Sequence, residues 1–126
     1  MSNKALRILI ADDQHFHRMK IERILNQLGY FRIAPVHSIE DLLTLVEYGC
    51  EPFDLVLIST SLTVGVDLDL LAFCEDHPHI RYGFIYGDQQ MRLAPSQRQT
   101  VQVSQAQIPD LELVRYLMER VRSANP

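Results

Sequence analysis

Cysteine is scarce: the 126-residue chain has two, Cys50 and Cys74, too few to frame a disulfide-stapled fold. Both fall in apolar or helical context, which fits buried free thiols in a reducing compartment. Basic charge is in deficit as well. Twelve Lys and Arg against 16 Asp and Glu leave a formal charge of −4 and a pI near 5.7. A nucleic-acid-binding domain normally carries a basic patch or stripe, so direct nucleic-acid binding is not expected. No stretch approaches the ~18 apolar residues of a membrane span, and Met1-Ser2-Asn3-Lys4 opens no signal-peptide apolar core. No membrane association and a cytoplasmic location are expected. Repeats and linkers are missing too, and residues 1–126 read as a single domain long enough to bury a core.

What is present is a soluble-domain composition, 47% hydrophobic and 22% charged, with strands and helices in alternation. Residues 6–11 are a short, nearly all-apolar run ended by Asp12 and Asp13, the pattern of a strand buried on both faces. Phe16, Met19, Ile21, Ile24, Leu25 and Leu28 follow at helical spacing, and Gly29 stops that helix. Phe31 to Val36 reads as a strand whose Pro35 places it on a sheet edge. Ser38 and Asp41 form a capping-box-like start to a helix that turns Ile39, Leu42, Leu43 and Val46 inward, with Gly49 after it. Asp54-Leu55-Val56-Leu57-Ile58 is a second buried strand, ending on Ser59. A third helix is expected over Asp67 to Asp76, and a strand over residues 81–86, weakened by Gly83. Asp88 to Gln99 is polar, glutamine-rich and broken by Pro95, so any helix there is short or distorted. A weak strand at 100–104 precedes a last helix with Pro109 in its first turn.

This alternation implies an α/β fold, a doubly wound parallel sheet of five strands, (βα)5, in which ligands bind beyond the carboxyl ends of the strands at the switch point. In the flavodoxin-like order 2-1-3-4-5, strands one and three flank that point, ~4.8 Å apart if paired. Asp12, Asp13 and Ser59 would then line one crevice.

On Ile8-Leu9-Ile10-Ala11-Asp12-Asp13, Phe53-Asp54-Leu55-Val56-Leu57-Ile58, the spacing between them, and Pro109-Asp110-Leu111-Glu112-Leu113, the sequence resembles the receiver (CheY-like) domain of bacterial response regulators. The resemblance covers nearly the whole chain. It implies a flavodoxin-like fold and a place in two-component, phosphorelay-type signal transduction. It also implies a site: two acids holding Mg²⁺, an aspartate that takes the phosphoryl group, a Thr or Ser ending strand four, and a Lys ending strand five. Here the acids are Asp12 and Asp13. The acceptor position is Ser59, the strand-four position is Tyr86 followed by Gly87, and the lysine position is Ser104 followed by Gln105. Thr63 and Asp67 stand where proline and glycine are typical.

These departures have chemical weight. A carboxylate accepts phosphoryl to form an acyl phosphate while Mg²⁺ neutralises the transferring group; a serine hydroxyl supplies neither the charge nor that product. The expectation is a degenerate, pseudo-receiver domain that is not an enzyme and needs no cofactor, with weak Mg²⁺ binding at most through Asp12 and Asp13. A remnant acid pair favouring the first helix by dipole attraction is the alternative to a metal site. Ser59 is read as a buried hydroxyl bonded to neighbouring backbone, with phosphorylation by a serine kinase as the other reading.

Strand five has no aromatic among Val101, Gln102 and Val103 to turn inward, as receiver switching requires. Two readings of Tyr86 stay open: its ring fills the vacated switch pocket and fixes one conformation, or it is a surface tyrosine. His15, His17, His77 and His79 lack the i, i+4 spacing of a helical metal pair and read as solvated or helix-end residues. In the last helix Leu111, Val114, Leu117, Met118 and Val121 form the core stripe. Leu113, Tyr116 and Glu119 are candidates for a partner or homodimer surface, since the resemblance implies contact through the fourth and fifth helices and fifth strand.

The function expected is phosphorylation-independent protein–protein interaction in bacterial signalling, with a separate partner or a fused output domain. The alternative is a phosphorylatable receiver using Asp13, Asp67 or Asp69. A nucleotide-binding flavodoxin-like enzyme would need a glycine-rich loop after strand one, where Asp12-Asp13-Gln14-His15 stands instead, and the acids ending that strand are adjacent rather than in the Asp-x-Asp spacing of aspartate-nucleophile phosphatases.

Overall fold

Leucine and β-branched side chains with no charge between them suit strands covered on both faces, and the computed structural model puts Ile8–Ala11 (β1) and Leu55–Ser59 (β3) side by side in the middle of a sheet. The structure describes residues 5–49, 51–65, 68–87, 101–104 and 108–124. Around those strands run α1 (His15–Gln27), β2 (Ile33–Val36), α2 (Ile39–Tyr48), a 3-10 turn over Thr60–Thr63, α3 (Leu70–Asp76), β4 (Gly83–Tyr86), β5 (Val101–Ser104) and α4 (Leu111–Ala124). The five strands are parallel in the order β2-β1-β3-β4-β5, the doubly wound arrangement expected from the alternation. Four helices lie among the described residues. The segment between β4 and β5, with the expected short helix over 88–99, falls outside them.

Period-two alternation divides the apolar residues between two cores. Ile8, Ile10, Leu55, Leu57, Phe84 and Tyr86 pack against Ile21, Leu25, Val114, Leu117, Met118 and Val121 of α1 and α4. On the other face Leu9, Val56, Ile58 and Ile85 meet Leu42, Val46, Leu70 and Cys74 of α2 and α3. Local chemistry sets the ends. Ser38 Oγ accepts the Asp41 N–H at 3.1 Å and starts α2, Asp69 Oδ1 accepts the Ala72 N–H at 3.2 Å and starts α3, and Gly29 leaves α1 at φ 96°. Pro35 sits on the edge strand. The buried Asp54 accepts the Arg7 N–H at 2.8 Å, joining the entrances of β1 and β3.

Several boundaries and faces differ from the sequence reading. Phe16 and Met19 are exposed, Phe16 at 71%. The inward row of α1 is His17, Ile21, Ile24, Leu25 and Leu28, and at ~100° per residue Met19 stands about 200° away from Ile21. The second strand begins at Ile33, leaving Phe31 exposed. Helix α3 begins at Leu70 because Asp69 caps it. Asp110, not the first turn, follows Pro109: its Oδ1 accepts the Leu113 N–H at 2.9 Å, so the proline lies one residue before the cap. Leu111 is partly exposed, since helical side chains lean toward the N-terminus and the first residue has no preceding turn to cover.

Candidate functional site: a closed acidic crevice

The carboxyl ends of β1, β3 and β4 carry the residues singled out in the sequence. The Asp12 N–H donates to the Val36 carbonyl at 3.1 Å, extending the ladder one residue beyond Ala11. Since Ala11 pairs with Ile58 and Ser59 with Tyr86, which pairs with Ser104, the register puts Asp12, Ser59, Tyr86 and Ser104 on one face. It is the face covered by α1 and α4.

Asp12 is fully buried, and a buried carboxylate needs donors. It has them. Oδ1 accepts the Gln14 N–H at 2.9 Å; Oδ2 accepts the Tyr86 hydroxyl at 2.7 Å and lies 3.1 Å from His17 Nδ1. Arg18 donates to the Asp12 carbonyl oxygen, and its other terminal nitrogen is 3.3 Å from His15 Nδ1. Tyr86 has no exposed surface, and its ring lies 6.1 Å from that of Phe84, inclined by 20°. Burial, then the hydrogen bond to Asp12 and the charge of that carboxylate, drive the Tyr86 hydroxyl well above the usual tyrosine range. It therefore stays protonated and donates, as a short charge-assisted bond requires. The surface-tyrosine reading is thereby removed.

Asp13 belongs to a separate chain of hydroxyls. Ser61 Oγ donates to Asp13 Oδ1 at 2.6 Å, which uses its one proton. The Ser59 hydroxyl, 2.7 Å from Ser61 Oγ, is then the donor to it, while Ser59 Oγ accepts the Ser61 N–H at 3.2 Å. Ser59 is buried and bonded to neighbouring backbone. Asp13 is exposed.

Helix α1 is capped by Gln14 without a side-chain cap bond and has no acid in its first turn; Asp12 and Asp13 directly precede the cap, and Asp12 ties down the turn that leads into the helix. Mg²⁺ is commonly held by one or two carboxylates and keeps several waters, so Asp12 and Asp13 would have to give up their present donors to serve it. Here Asp12 is held by protein donors and Asp13 by Ser61, and no group of three His, Cys, Asp or Glu converges among the described residues.

The other singled-out residues stand apart from the crevice. Gly87 has φ 146°, and a Cβ there would lie 1.9 Å from Thr60 Oγ1. Asp69 is committed to capping α3; Asp67 and Cys50 lie outside the described residues. His79 Nδ1 is 2.6 Å from the Val46 carbonyl and its N–H donates to His77 Nδ1 at 3.2 Å, a turn-building role in front of β4. Leu113 is half-buried against the α1 side of the core. Tyr116 is exposed and pairs with Arg120, whose guanidinium lies 5.7 Å from its ring centroid.

No protein-family model matches the chain, and no curated protein matches it. Solved structures do. A response regulator receiver domain protein from Bacillus halodurans C-125 superposes with a TM-score of 0.62 at 19% identity, over 96% of this chain and 97% of that one. The N-terminal domain of a response regulator/sensory box/GGDEF three-domain protein from Carboxydothermus hydrogenoformans gives 0.64 at 20%, over 94% and 98%. A CheY-like receiver domain from Methylobacillus flagellatus gives 0.65 at 16%, over 92% and 98%. The chain has the CheY-like flavodoxin fold. No helix among the described residues is long and apolar enough to cross a membrane.

Three members of the crevice were not singled out by the sequence reading: His17 as a partner of Asp12, Arg18, and Ser61. His17 carried a signal, since it precedes Ile21 by four residues and so sits on the inward row of α1. Arg18 and Ser61 carried none, because each is placed by a turn whose path the sequence pattern leaves undefined.

Proposed function

We propose that this chain is an atypical, degenerate receiver domain of two-component-type signalling that acts through phosphorylation-independent protein–protein contact. The observation that carries the reading is the buried Tyr86–Asp12 hydrogen bond at 2.7 Å, beside a serine at the strand-three end. The acid that would hold a metal in a phosphorylatable receiver is occupied by built-in donors, and the serine hydroxyl at the end of β3 cannot form an acyl phosphate. Tyr86 fills the end of the crevice and fixes one conformation. The role is non-enzymatic and needs no cofactor, with Mg²⁺ association weak at most. Its partner is a separate protein or a fused output domain; the Carboxydothermus neighbour is itself the N-terminal domain of a three-domain protein. Tyr116, with Leu113 and Glu119 nearby on α4, is the starting point for mapping that contact, including contact with a second copy. A bacterial, cytoplasmic setting goes with this reading.

The test is incubation with acetyl phosphate and Mg²⁺, then with beryllofluoride and Mg²⁺, followed by intact mass and amide chemical shifts. No adduct and no shift around the crevice are expected. A stoichiometric phospho-adduct, mapped to Asp13, Asp67 or Asp69, would overturn the reading in favour of a receiver with a displaced acceptor.

A further inference from the structure

At the opposite end of the molecule, ~20 Å along α1 from the crevice by helical rise, a cavity of about 230 Å³ opens between the end of α1, the turn into β2, and α4. Its walls are Leu28, Tyr30, Arg115, Met118, Glu119 and Arg122. Tyr30 is 3% exposed with its ring in the core, and it lines the cavity; its hydroxyl is not an enclosed, unpartnered group. Arg115 and Arg122, two helical turns apart on one side of α4, are exposed and take part in none of the ion pairs found among the described residues. Glu119 lies one turn from each, where an i, i+4 pair with Arg115 would be ordinary. Both arginines line the cavity, and Arg is the side chain suited to forked recognition of carboxylate or phosphate.

We propose that this cavity binds a small organic carboxylate with a compact apolar body. Arg115 and Arg122 hold the carboxylate, the Tyr30 hydroxyl adds a donor, and Leu28 and Met118 cover the apolar part. The volume is below the ~300–1,000 Å³ of drug-sized sites, which sets the compactness. Glu119 faces the same space and disfavours a polyanion, while a ligand ammonium group would pair with it. An amino-acid-like zwitterion therefore fits at least as well as a simple acid.

The test is a chemical-shift titration of the full chain with isovalerate, L-leucine and inorganic phosphate. Isovalerate and leucine are expected to give saturable shifts at the amides of Leu28, Tyr30 and Met118, and phosphate is not. Arg115→Gln or Arg122→Gln, both at exposed positions, should weaken binding by about tenfold or more, the loss of one charge-assisted hydrogen bond. Tyr30→Phe should weaken it less and leave the fold intact. Glu119→Gln should strengthen isovalerate binding and cancel any preference for leucine. Absence of saturation with both carboxylates, binding of phosphate alone, or an unchanged response in the Arg115→Gln/Arg122→Gln double variant would overturn the assignment.

Discussion

Tyr86→Phe removes one oxygen, leaves the ring against Phe84, and deprives the buried Asp12 carboxylate of its 2.7 Å donor. A hydrogen bond to a charged group contributes about 1.5–3 kcal/mol net. At about 4 °C per kcal/mol for a domain of this size, the melting temperature should fall by roughly 6–12 °C. Urea denaturation at pH 7 should show a lower midpoint with an unchanged slope. A second signature follows from proton linkage. In the folded protein the Tyr86 hydroxyl ionises well above the usual range; in the unfolded chain it ionises near pH 10. Above about pH 10 the unfolded state therefore holds fewer protons, and wild-type stability declines by up to ~1.4 kcal/mol per pH unit from this group alone. The variant lacks that component, so the gap between the two proteins should narrow as pH rises beyond 10. Combining Tyr86→Phe with Asp12→Asn in a double-mutant cycle should give a coupling of about 1 kcal/mol or more, as for residues in direct contact. A loss below ~0.5 kcal/mol, the scale of an ordinary surface change, or a gap that stays constant into alkali, would refute the closed-crevice account.

Gly87→Ala should destabilise by about 2–4 kcal/mol, combining a backbone region open mainly to glycine with overpacking against the Thr60 hydroxyl; Thr60→Ala in the same chain should recover the steric part, and full recovery in thermal melts would refute the backbone part. Cys74 is pushed up to about 12, by burial first and Glu75 second. It should stay unreactive to a thiol reagent at pH 8 until the protein unfolds, and it adds its own loss of stability as pH climbs from 9.0 toward about 12. Asp110→Ala should cost about 0.5–2 kcal/mol by removing the cap of α4, read as a lower urea midpoint. Ser59→Asp with Tyr86→Thr restores the third acid and frees Asp12, and should raise Mg²⁺ affinity in calorimetry over the unaltered chain.

How much of this was legible depended on which force fixed each feature. β1 and β3 were readable because continuous apolar runs state two-sided burial directly, and the edge placement of β2 because Pro35 lacks a ladder donor. Ser38 and Gly29 worked for the same local reason. Phe16 and Met19 misled because the spacing of apolar residues leaves the helix phase open until a sheet chooses one side; the row it chose begins with His17. Pro109 misled by two residues because Asp110, next to it, is the better cap and the helix starts at Leu111.

The sequence by itself determined the fold class, since period-two and helical periodicities with caps and breakers are local, and their alternation admits few topologies. It also determined that the buried run forming β3 ends on a hydroxyl, because a serine at position 59 has no carboxylate in any fold. Tertiary structure decided what occupies the crevice. Tyr86 and Asp12 are 74 residues apart, and only the parallel register of β1, β3 and β4 brings a phenol over a buried acid. The same holds for Tyr30 and Arg115, which line one cavity only because α1 and α4 share one face of the sheet. Long-range register and helix phase are collective properties of the packed core, and no short stretch of residues encodes them.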